Sequence, residues 1–303
     1  MHTPTGYRGR FAPSPTGPLH FGSLVAATGS FLDARHQHGE WLLRVEDVDT
    51  PREVPGATDD ILTTLERLGM TWDGPVSYQS KRTHLYEAAL EQLQQQGHVY
   101  DCSCTRKELA GNTAYPGTCR EGLPAGRSPR SLRVRVGDAA IDMPDRLQPA
   151  LHQQLAVDIG DFIIRRADKL FAYQLAVVVD DGEQQINNVV RGVDLLESTP
   201  RQMYLQQLLG LPAPAYLHLP IAVDAGNTKL SKQTFAQRID MDDINSAIID
   251  VLRFLGQPLP DTPQDASHEE LWQWAIEHWD IRSIPTGRKL PAPARYTASP
   301  AAS

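Results

Sequence analysis

The stretch RFAPSPTGPLHFGS, residues 10–23, decides the fold of this chain. An apolar run over residues 7–12 meets Pro13 and Pro15, which cannot extend a sheet ladder. An apolar period then starts at Leu19 and predicts a buried helix. The pattern is strand, tight loop, helix, and residues 20–23 fall in the first turn of that helix. Because a helix N-terminus presents unpaired N–H groups and partial positive charge, we expect a nucleotide site here.

Further elements follow from apolar periodicity and from Gly and Pro boundaries. The predicted strands are 41–45, 131–136, 188–191 and 216–223, and the predicted helices are 58–68, 83–96, 199–210, 241–255 and 268–277. Thr199 is expected to be the N-cap of its helix, with Pro200 at the first helical position. Residues 285–303, rich in Pro, Ala and Ser, predict a disordered tail.

Composition predicts a soluble protein with one large domain and an insertion or a small second domain. The chain has 303 residues, of which 41% are hydrophobic and 22% are charged. No apolar run has the length of a bilayer span, and the N-terminus lacks the apolar core of a signal peptide, so we expect a cytoplasmic monomer without a membrane partner. The net charge of −8 argues against a general nucleic-acid coat.

Positive charge is nevertheless concentrated in one stretch. Five arginines lie between residues 120 and 135: Arg120, Arg127, Arg130, Arg133 and Arg135. Such a run could contact a phosphate backbone. It could equally protect the edge of a strand.

Residues 10–23 resemble the HIGH signature of class I aminoacyl-tRNA synthetases, in the form typical of glutamyl enzymes. His20, Gly22 and Ser23 keep the polar and small positions of the tetrapeptide, while Phe21 departs from it. KLSKQ, residues 229–233, resembles the second signature of that class, KMSKS, with Gln233 as its departure. The resemblance implies an α/β Rossmann-like nucleotide-binding fold, a parallel sheet with helices on both faces, a zinc-binding insertion and a short helical C-terminal part.

Two charged residues at strand ends are candidates for amino-acid binding. Glu46 follows the strand 41–45, where ligands bind in open α/β sheets, although an acidic cluster there could also be a loop facing water. Arg191 ends the strand 188–191 and could hold a carboxylate with two hydrogen bonds, or form a surface salt bridge. Tyr173 would be a core aromatic on pattern alone.

The resemblance assigns roles to these residues. It implies that glutamate is bound by Arg10, Ser14, Glu46, Tyr173 and Arg191, with Glu46 on the amine. It implies that ATP, accompanied by Mg²⁺, is bound by His20, Gly22, Ser23, Lys229, Ser231 and Lys232. His20 and Lys232 would act catalytically, because a lysine on a loop that closes stabilises phosphate charge mainly in the transition state.

The three cysteines, Cys102, Cys104 and Cys119, predict a zinc site because thiolates are strong zinc ligands. A structural site needs a fourth donor, and His98, Asp101 and Tyr115 are candidates. Ligand chemistry favours His98. The family resemblance implies Tyr115 instead. The alternative is three reduced, buried cysteines without a metal.

We expect the catalytic domain to occupy residues 1–98 and 136–240, interrupted by a zinc-binding insertion over 99–135. A helical part over 241–284 and the tail complete the chain. About 70 residues follow Gln233, too few for the anticodon-binding region of full-length glutamyl enzymes. This short form resembles the paralogues that activate L-glutamate and attach it to queuosine in the anticodon of tRNA(Asp). Two alternatives are a truncated synthetase that charges the 3′ end of tRNA(Glu) and a non-catalytic zinc-dependent RNA-binding module.

Overall fold

A computed structural model describes residues 6–230 and 239–297 of the chain. Its strands are β1 Arg8–Phe11, β2 Glu40–Val45, β3 Ser77–Tyr78, β4 Val99–Cys102, β5 Ser131–Val134, β6 Ala140–Met143, β7 Leu151–Gln154, β8 Phe162–Arg165, β9 Asn188–Gly192, β10 Ala215–Leu219, β11 Ile221–Val223 and β12 Lys289–Pro291. Its α-helices are α1 Phe21–His36, α2 Ala57–Arg67, α3 Thr83–Gln95, α4 Leu155–Asp158, α5 Tyr173–Glu183, α6 Thr199–Leu209, α7 Ile244–Phe254 and α8 His268–Glu277. Within these described residues, no helix has the length and apolarity needed to cross a membrane.

Parallel strands form the layer that carries the site. β2 pairs in parallel with β1 and with β3, and β9 pairs in parallel with β10. Asn187, just before β9, joins the two groups: its backbone N–H donates to the Arg8 carbonyl at 3.1 Å, and its side-chain oxygen accepts from the Arg8 N–H at 2.8 Å. Because the strands are parallel, their carboxyl ends meet at one edge.

Helix α1 is the centre of the main hydrophobic core. Most of its residues are buried, in agreement with the apolar run that begins at Leu19. The two C-terminal helices pack on it through edge-on aromatic pairs, Phe21 with Phe254 of α7 at 5.4 Å and Phe31 with Trp272 of α8 at 5.0 Å between ring centroids. The helical C-terminal part is therefore attached to the same helix that begins at the predicted nucleotide site.

Antiparallel strands form the inserted part. β4, β5 and β8 make a three-stranded sheet, and β6 and β7 form a hairpin. β8 thus continues a sheet that begins inside the predicted insertion, across the boundary at residue 135. The domain boundaries stay predictions.

The structure differs from the sequence-based expectations at three places. Ser198, not Thr199, occupies the N-cap of α6, because the Thr199 hydroxyl donates to the Leu195 carbonyl instead of capping the helix. The strand expected over 216–223 is divided at Pro220, which has no N–H for the ladder. Residues 285–297 are ordered rather than a disordered tail: β12 pairs with β11, and the buried Tyr296 ring stacks on Phe21 at 4.4 Å.

Candidate active site

One cavity of about 460 Å³ opens at the carboxyl ends of β1, β2 and β9. All the predicted glutamate-binding residues line it, and so do the described members of the predicted ATP set. These lining residues are Arg10, Ser14, His20, Gly22, Ser23, Glu46, Tyr173, Arg191 and Lys229. Ser231 and Lys232 lie outside the described residues. The structure therefore brings together groups separated by more than 200 positions in the sequence.

The N-terminus of α1 forms one wall of this cavity. His20 is the N-cap residue, and its Nδ1 accepts a hydrogen bond from the Ser23 N–H at 3.3 Å. A β-carbon at Gly22 would lie 3.5 Å from the Leu230 carbonyl oxygen and 3.2 Å from the His20 ring. Leu230, within KLSKQ, therefore lies close to the helix N-terminus, and a side chain at position 22 would be tight only against the His20 ring.

Lys229 contributes a cation to the cavity lining, and its ammonium group forms an ion pair with Asp194. The turn before it is fixed by Asp224, whose backbone N–H donates to the Thr228 carbonyl at 2.9 Å. The lysine belongs to the predicted second signature and lies in the same cavity as the first.

Glu46 supplies a buried carboxylate to the cavity. Its Oε1 is buried and has no hydrogen-bond partner. Its side chain is 9% exposed and lies 3.7 Å from an Arg44 nitrogen. Burial raises the pKa of Glu46 from 4.5 to about 7, because the loss of water outweighs the opposing charges of Arg44 and Arg10. A cation bound in the cavity would supply the missing partner.

A buried charge network surrounds Glu46. Asp181 of α5 accepts hydrogen bonds from Arg10 at 3.1 Å and from Arg44 at 2.7 Å. Burial alone would raise the pKa of Asp181, but these two arginines outweigh it and hold that pKa below its ordinary value. The network balances three arginines against three carboxylates: Arg10, Arg44, Arg82, Glu46, Asp180 and Asp181.

Arg191 has a different environment, because its described hydrogen-bond partners are all neutral in the structure. Its Nη2 donates to Thr199 Oγ1 at 2.7 Å and to Gln202 Oε1 at 2.8 Å, and its Nη1 donates to the Tyr173 hydroxyl at 3.5 Å. Its Nε donates to His218 Nε2 at 3.1 Å. The residue is 5% exposed. Buried arginines normally pair with carboxylates, so this guanidinium is suited to an anionic ligand group.

The three cysteines form the one described group of His, Cys, Asp and Glu residues with donor atoms close enough to hold a metal ion. The Cys104 and Cys119 sulfurs are 3.7 Å apart, and the Tyr115 hydroxyl lies 3.5 Å from the Cys102 sulfur and 3.6 Å from that of Cys104. Neither the His98 ring nor the Asp101 carboxylate belongs to the group.

These distances fit a tetrahedral zinc site. Zn–S bonds of about 2.3 Å and a Zn–O bond of about 2.0 Å give S···S and S···O separations of about 3.8 and 3.5 Å at the tetrahedral angle. Burial alone would raise the pKa of the Cys119 thiol, but hydrogen bonds from Ser103, Tyr115 and Cys104 lower it to about 6. The thiolate is the form that binds a metal.

Most of the arginines in the predicted phosphate-binding run already form ion pairs or hydrogen bonds with other residues of the protein. Arg120 pairs with Asp161 at 2.7 Å, and Arg127 with Glu108 at 2.5 Å. Arg133 donates to the Asp161 carbonyl and lies over the Tyr115 ring, and Arg135 pairs with Glu121. Arg130 is exposed and makes no ion pair with the described residues.

Comparison with known proteins identifies the class that this fold and site define. Residues 7–117 and 118–278 match the family model described as tRNA synthetases class I (E and Q), catalytic domain. The chain belongs to this family. Its α/β fold with a parallel sheet, and the two signatures found in the sequence, are those of the class.

Within the family, the chain is similar over nearly its whole length to proteins named glutamyl-Q tRNA(Asp) synthetase. The protein of that name from Dechloromonas aromatica is 56% identical, over 97% of this chain and 100% of the relative. The one from Geobacter sulfurreducens is 48% identical, over 96% of each chain.

Solved structures agree with the family and its fold. The glutamate-tRNA synthetase from Elizabethkingia anophelis superposes with a TM-score of 0.79 at 26% identity, over 96% of this chain and 69% of that protein. A glutamate tRNA ligase from Elizabethkingia meningosepticum, solved in complex with its amino acid, gives 0.78 at 27% identity, over 95% and 67%.

Sequence reasoning missed several residues that build the site. His218 and Thr199 surround Arg191, Asp145 holds His218, and Asp181 holds Arg10. Only His218 carries a signal that could have found it, since it lies on the strand 216–223 that the sequence predicts beside the core. The others become visible only through their partners.

Proposed function

We propose that this protein is a ligase that activates L-glutamate with ATP and transfers it to the queuosine base in the anticodon of tRNA(Asp). One observation carries the amino-acid part. A buried carboxylate without a hydrogen-bond partner, Glu46, and a buried guanidinium with only neutral described partners, Arg191, line the same cavity. This pair complements a ligand that has both an ammonium and a carboxylate group. The relatives' name supports the tRNA part.

Glutamate would bind with its amine on Glu46 and its side-chain carboxylate on Arg191. Tyr173 already contacts Arg191, and its hydroxyl would meet the same carboxylate. Arg10 and Ser14 line the cavity on the β1 side and would position the α-carboxylate. Charge-assisted hydrogen bonds of this kind are about twice as strong as neutral ones, so they select a dicarboxylic amino acid.

ATP would bind at the N-terminus of α1. Gly22 and Ser23 lie in the first turn of α1 and line the cavity, where the positive end of the helix would stabilise phosphates. His20 and Lys229, and by the family resemblance Ser231 and Lys232, would stabilise the phosphate charge, with Mg²⁺ accompanying the nucleotide.

The reaction then has two steps. The α-carboxylate attacks the α-phosphate of ATP, which gives glutamyl-adenylate and releases pyrophosphate. A queuosine hydroxyl attacks the activated carbonyl, AMP leaves, and the hydroxyl proton is released. The protein supplies position and charge rather than a covalent intermediate. An anticodon loop suits this step because its bases are unstacked and accessible, and we place the reaction in the cytoplasm with its tRNA substrate. Action as a monomer stays a prediction.

We propose that the cysteine cluster holds one structural zinc ion through Cys102, Cys104, Cys119 and Tyr115. The separations among these four donors support the assignment, and they favour Tyr115 over His98 as the fourth ligand. Bound zinc would fix the loop between β4 and β5, where most residues are exposed and few are buried.

The tRNA backbone would meet a basic groove lined by Arg106, Lys107, Arg130 and Arg166. The first three are exposed and make no ion pair with the described residues. Arg166 pairs with Asp168, which also lines the groove, at 2.6 Å and with Asp49 at 2.9 Å. Asp49 lies in the loop that carries Glu46 into the active cavity. Charge complementarity to phosphate, next to the reaction centre and on a protein with a net charge of −8, supports this surface.

The groove is tested by Arg130→Glu, with Arg282→Glu as the matched control. Arg282 is an exposed arginine on the C-terminal part that pairs with Asp280. The groove variant should lower transfer to tRNA and reduce its salt dependence while leaving glutamate-dependent ATP–pyrophosphate exchange unchanged. Equal transfer by both variants would exclude this surface.

The function is tested with radiolabelled glutamate and ATP on two preparations of tRNA(Asp), one with queuosine and one from cells that cannot make it. We expect label on the first alone, and we expect label to persist after the 3′-terminal adenosine is removed. Label on both preparations, or on tRNA(Glu) alone, would favour the acceptor-end synthetase. Absence of pyrophosphate exchange would favour the non-catalytic RNA-binding module.

A further inference from the structure

A buried chain of three side chains ends at the candidate carboxylate-binding arginine. Arg191 and His218 are register partners on the parallel strands β9 and β10. His218 Nε2 lies 3.1 Å from Arg191 Nε, and His218 Nδ1 lies 2.6 Å from Asp145 Oδ2. The side chains of His218 and Asp145 are both 0% exposed. Water therefore does not reach either hydrogen bond.

The chemistry of the partners fixes the proton on His218. A guanidinium Nε–H can donate but cannot accept, so the ring nitrogen that faces Arg191 must carry a lone pair. The Thr199 hydroxyl lies 3.2 Å from the same nitrogen, but a hydroxyl can donate or accept, so Arg191 decides the position of the proton. In a neutral imidazole the proton is then on Nδ1, where it is donated to Asp145. Burial lowers the pKa of His218, and Arg191 lowers it further against the opposing effect of Asp145, which agrees with a neutral ring.

Asp145 is itself rigidly held. Its Oδ1 accepts from the backbone N–H groups of Leu147 at 3.0 Å and Gln148 at 2.8 Å, and its Oδ2 is left for the histidine. Gln148 in turn donates to the His218 carbonyl at 3.0 Å. The carboxylate thus has one orientation, and it lies one imidazole away from the guanidinium.

We propose that Asp145 and His218 are positioning residues that aim Arg191 at an anionic substrate group without neutralising its charge. This inference rests on the proposed function, because it assigns Arg191 to the glutamate carboxylate. A carboxylate in direct contact with Arg191 would compete with the substrate. A neutral imidazole between the two groups holds the guanidinium in one orientation and adds no charge. Asp145 imposes the Nδ1–H tautomer, so Nε2 remains a hydrogen-bond acceptor for Arg191 Nε.

The test is Asp145→Asn. An asparagine can donate its amide N–H to His218 Nδ1, which moves the ring proton to Nε2, opposite the Arg191 Nε–H. Two donors then face each other and the guanidinium is displaced. We expect the KM for glutamate in ATP–pyrophosphate exchange to rise on the order of 10- to 100-fold, with a much smaller change in kcat and in the KM for ATP.

Two variants of His218 separate its hydrogen-bonding role from its packing role. In His218→Gln the amide oxygen can accept from Arg191 while the NH2 group donates to Asp145, as in the Nδ1–H tautomer, so we expect a KM closer to wild type than that of His218→Leu, which has neither donor nor acceptor. In the His218→Leu background nothing relays the orientation of residue 145, and we expect Asp145→Asn to add less than a twofold change to the KM. Equal effects of Asp145→Asn in both backgrounds would overturn the proposal.

The wild-type tautomer is measured independently by ¹⁵N NMR of the histidine-labelled protein, which does not depend on activity or on variants that fold. A protonated Nδ1 and an unprotonated Nε2 on His218 are expected, and the reverse would overturn the inference. If wild type shows no glutamate-dependent exchange, the proposed function fails. If exchange is normal and Asp145→Asn leaves the glutamate KM unchanged, the positioning role alone fails.

Discussion

Replacing Glu46 with glutamine should stabilise the protein at alkaline pH and weaken glutamate binding at the same time. The carboxylate is buried, its Oε1 has no hydrogen-bond partner, and burial raises its pKa from 4.5 to about 7. Glutamine has nearly the same shape and never ionises. The variant therefore removes the unfavourable buried charge together with the group that would bind the substrate amine.

The magnitude follows from the pKa. One unit of pKa shift corresponds to about 1.4 kcal/mol, so a rise from 4.5 to about 7 destabilises the ionised folded state by about 3 kcal/mol relative to the neutral one. The sign is set by proton binding: between these two values the folded protein holds a proton that the unfolded chain has released, so stability falls as pH rises. The gain from Glu46→Gln should be near zero at pH 4 and about 3 kcal/mol at pH 8.

Urea unfolding at pH 4.5, 6 and 8 measures the free energy of unfolding of wild type and variant. Glu66→Gln, on the exposed face of α2, is the matched control and should change stability by less than about 0.5 kcal/mol at each pH. Glutamate-dependent ATP–pyrophosphate exchange should show a KM increase of about 10- to 150-fold for Glu46→Gln, from loss of a charged hydrogen bond of about 1.5–3 kcal/mol.

A particular result would refute this reasoning. If Glu46→Gln is less stable than wild type at pH 8, the ion pairs with Arg44 and Arg10 outweigh the loss of water around the carboxylate. Unchanged glutamate KM in a folded variant would separately remove Glu46 from the amine site.

Three further changes test the architecture around the site. Gly160→Ala should lower the free energy of unfolding by more than about 2 kcal/mol, because the new β-carbon would lie 2.4 Å from the Tyr115 nitrogen and residue 160 has φ +71°. The control is Gly111→Ala, where φ is +88° but no atom lies within 4 Å of the new β-carbon. Its free energy of unfolding, measured in the same urea titration, should fall by only about 1 kcal/mol. Prolonged chelation should remove one zinc ion per chain, as measured by elemental analysis, and should make the loop between β4 and β5 sensitive to protease. Full resistance of this loop to protease after zinc loss would contradict a structural metal. Asp33→Asn should destabilise the fold by about 3–5 kcal/mol, because Asp33 is buried and accepts two hydrogen bonds from Arg146 at 2.6 and 2.9 Å. An unchanged urea midpoint would show that this ion pair contributes nothing to stability.

The sequence by itself determined the local elements and the chemistry-bearing positions. Pro13 and Pro15 end β1, and the apolar period that starts at Leu19 makes α1, because proline geometry and helical periodicity act over a few residues. The resemblance in residues 10–23 predicted the family, which the family model and the relatives confirm. Further blocks of the same family resemblance, LLRVEDVD at residues 42–49 and VVRG at residues 189–192, predicted that Glu46 and Arg191 share one pocket, and both line the cavity of the structure.

Only the tertiary structure decided which charges are available to ligands. Arg133 donates to a carbonyl group within the protein, whereas Arg191 has neutral partners and lines the cavity, where it can meet an anion. Nothing within a few positions of either arginine distinguishes the two. The difference depends on partners such as Asp161 and His218, which lie 27 or 28 positions away and arrive through strand pairing. Local sequence sets which groups a chain can offer. Their hydration and pairing are set by segments that meet only when the chain folds, since desolvation and ion pairing act through space.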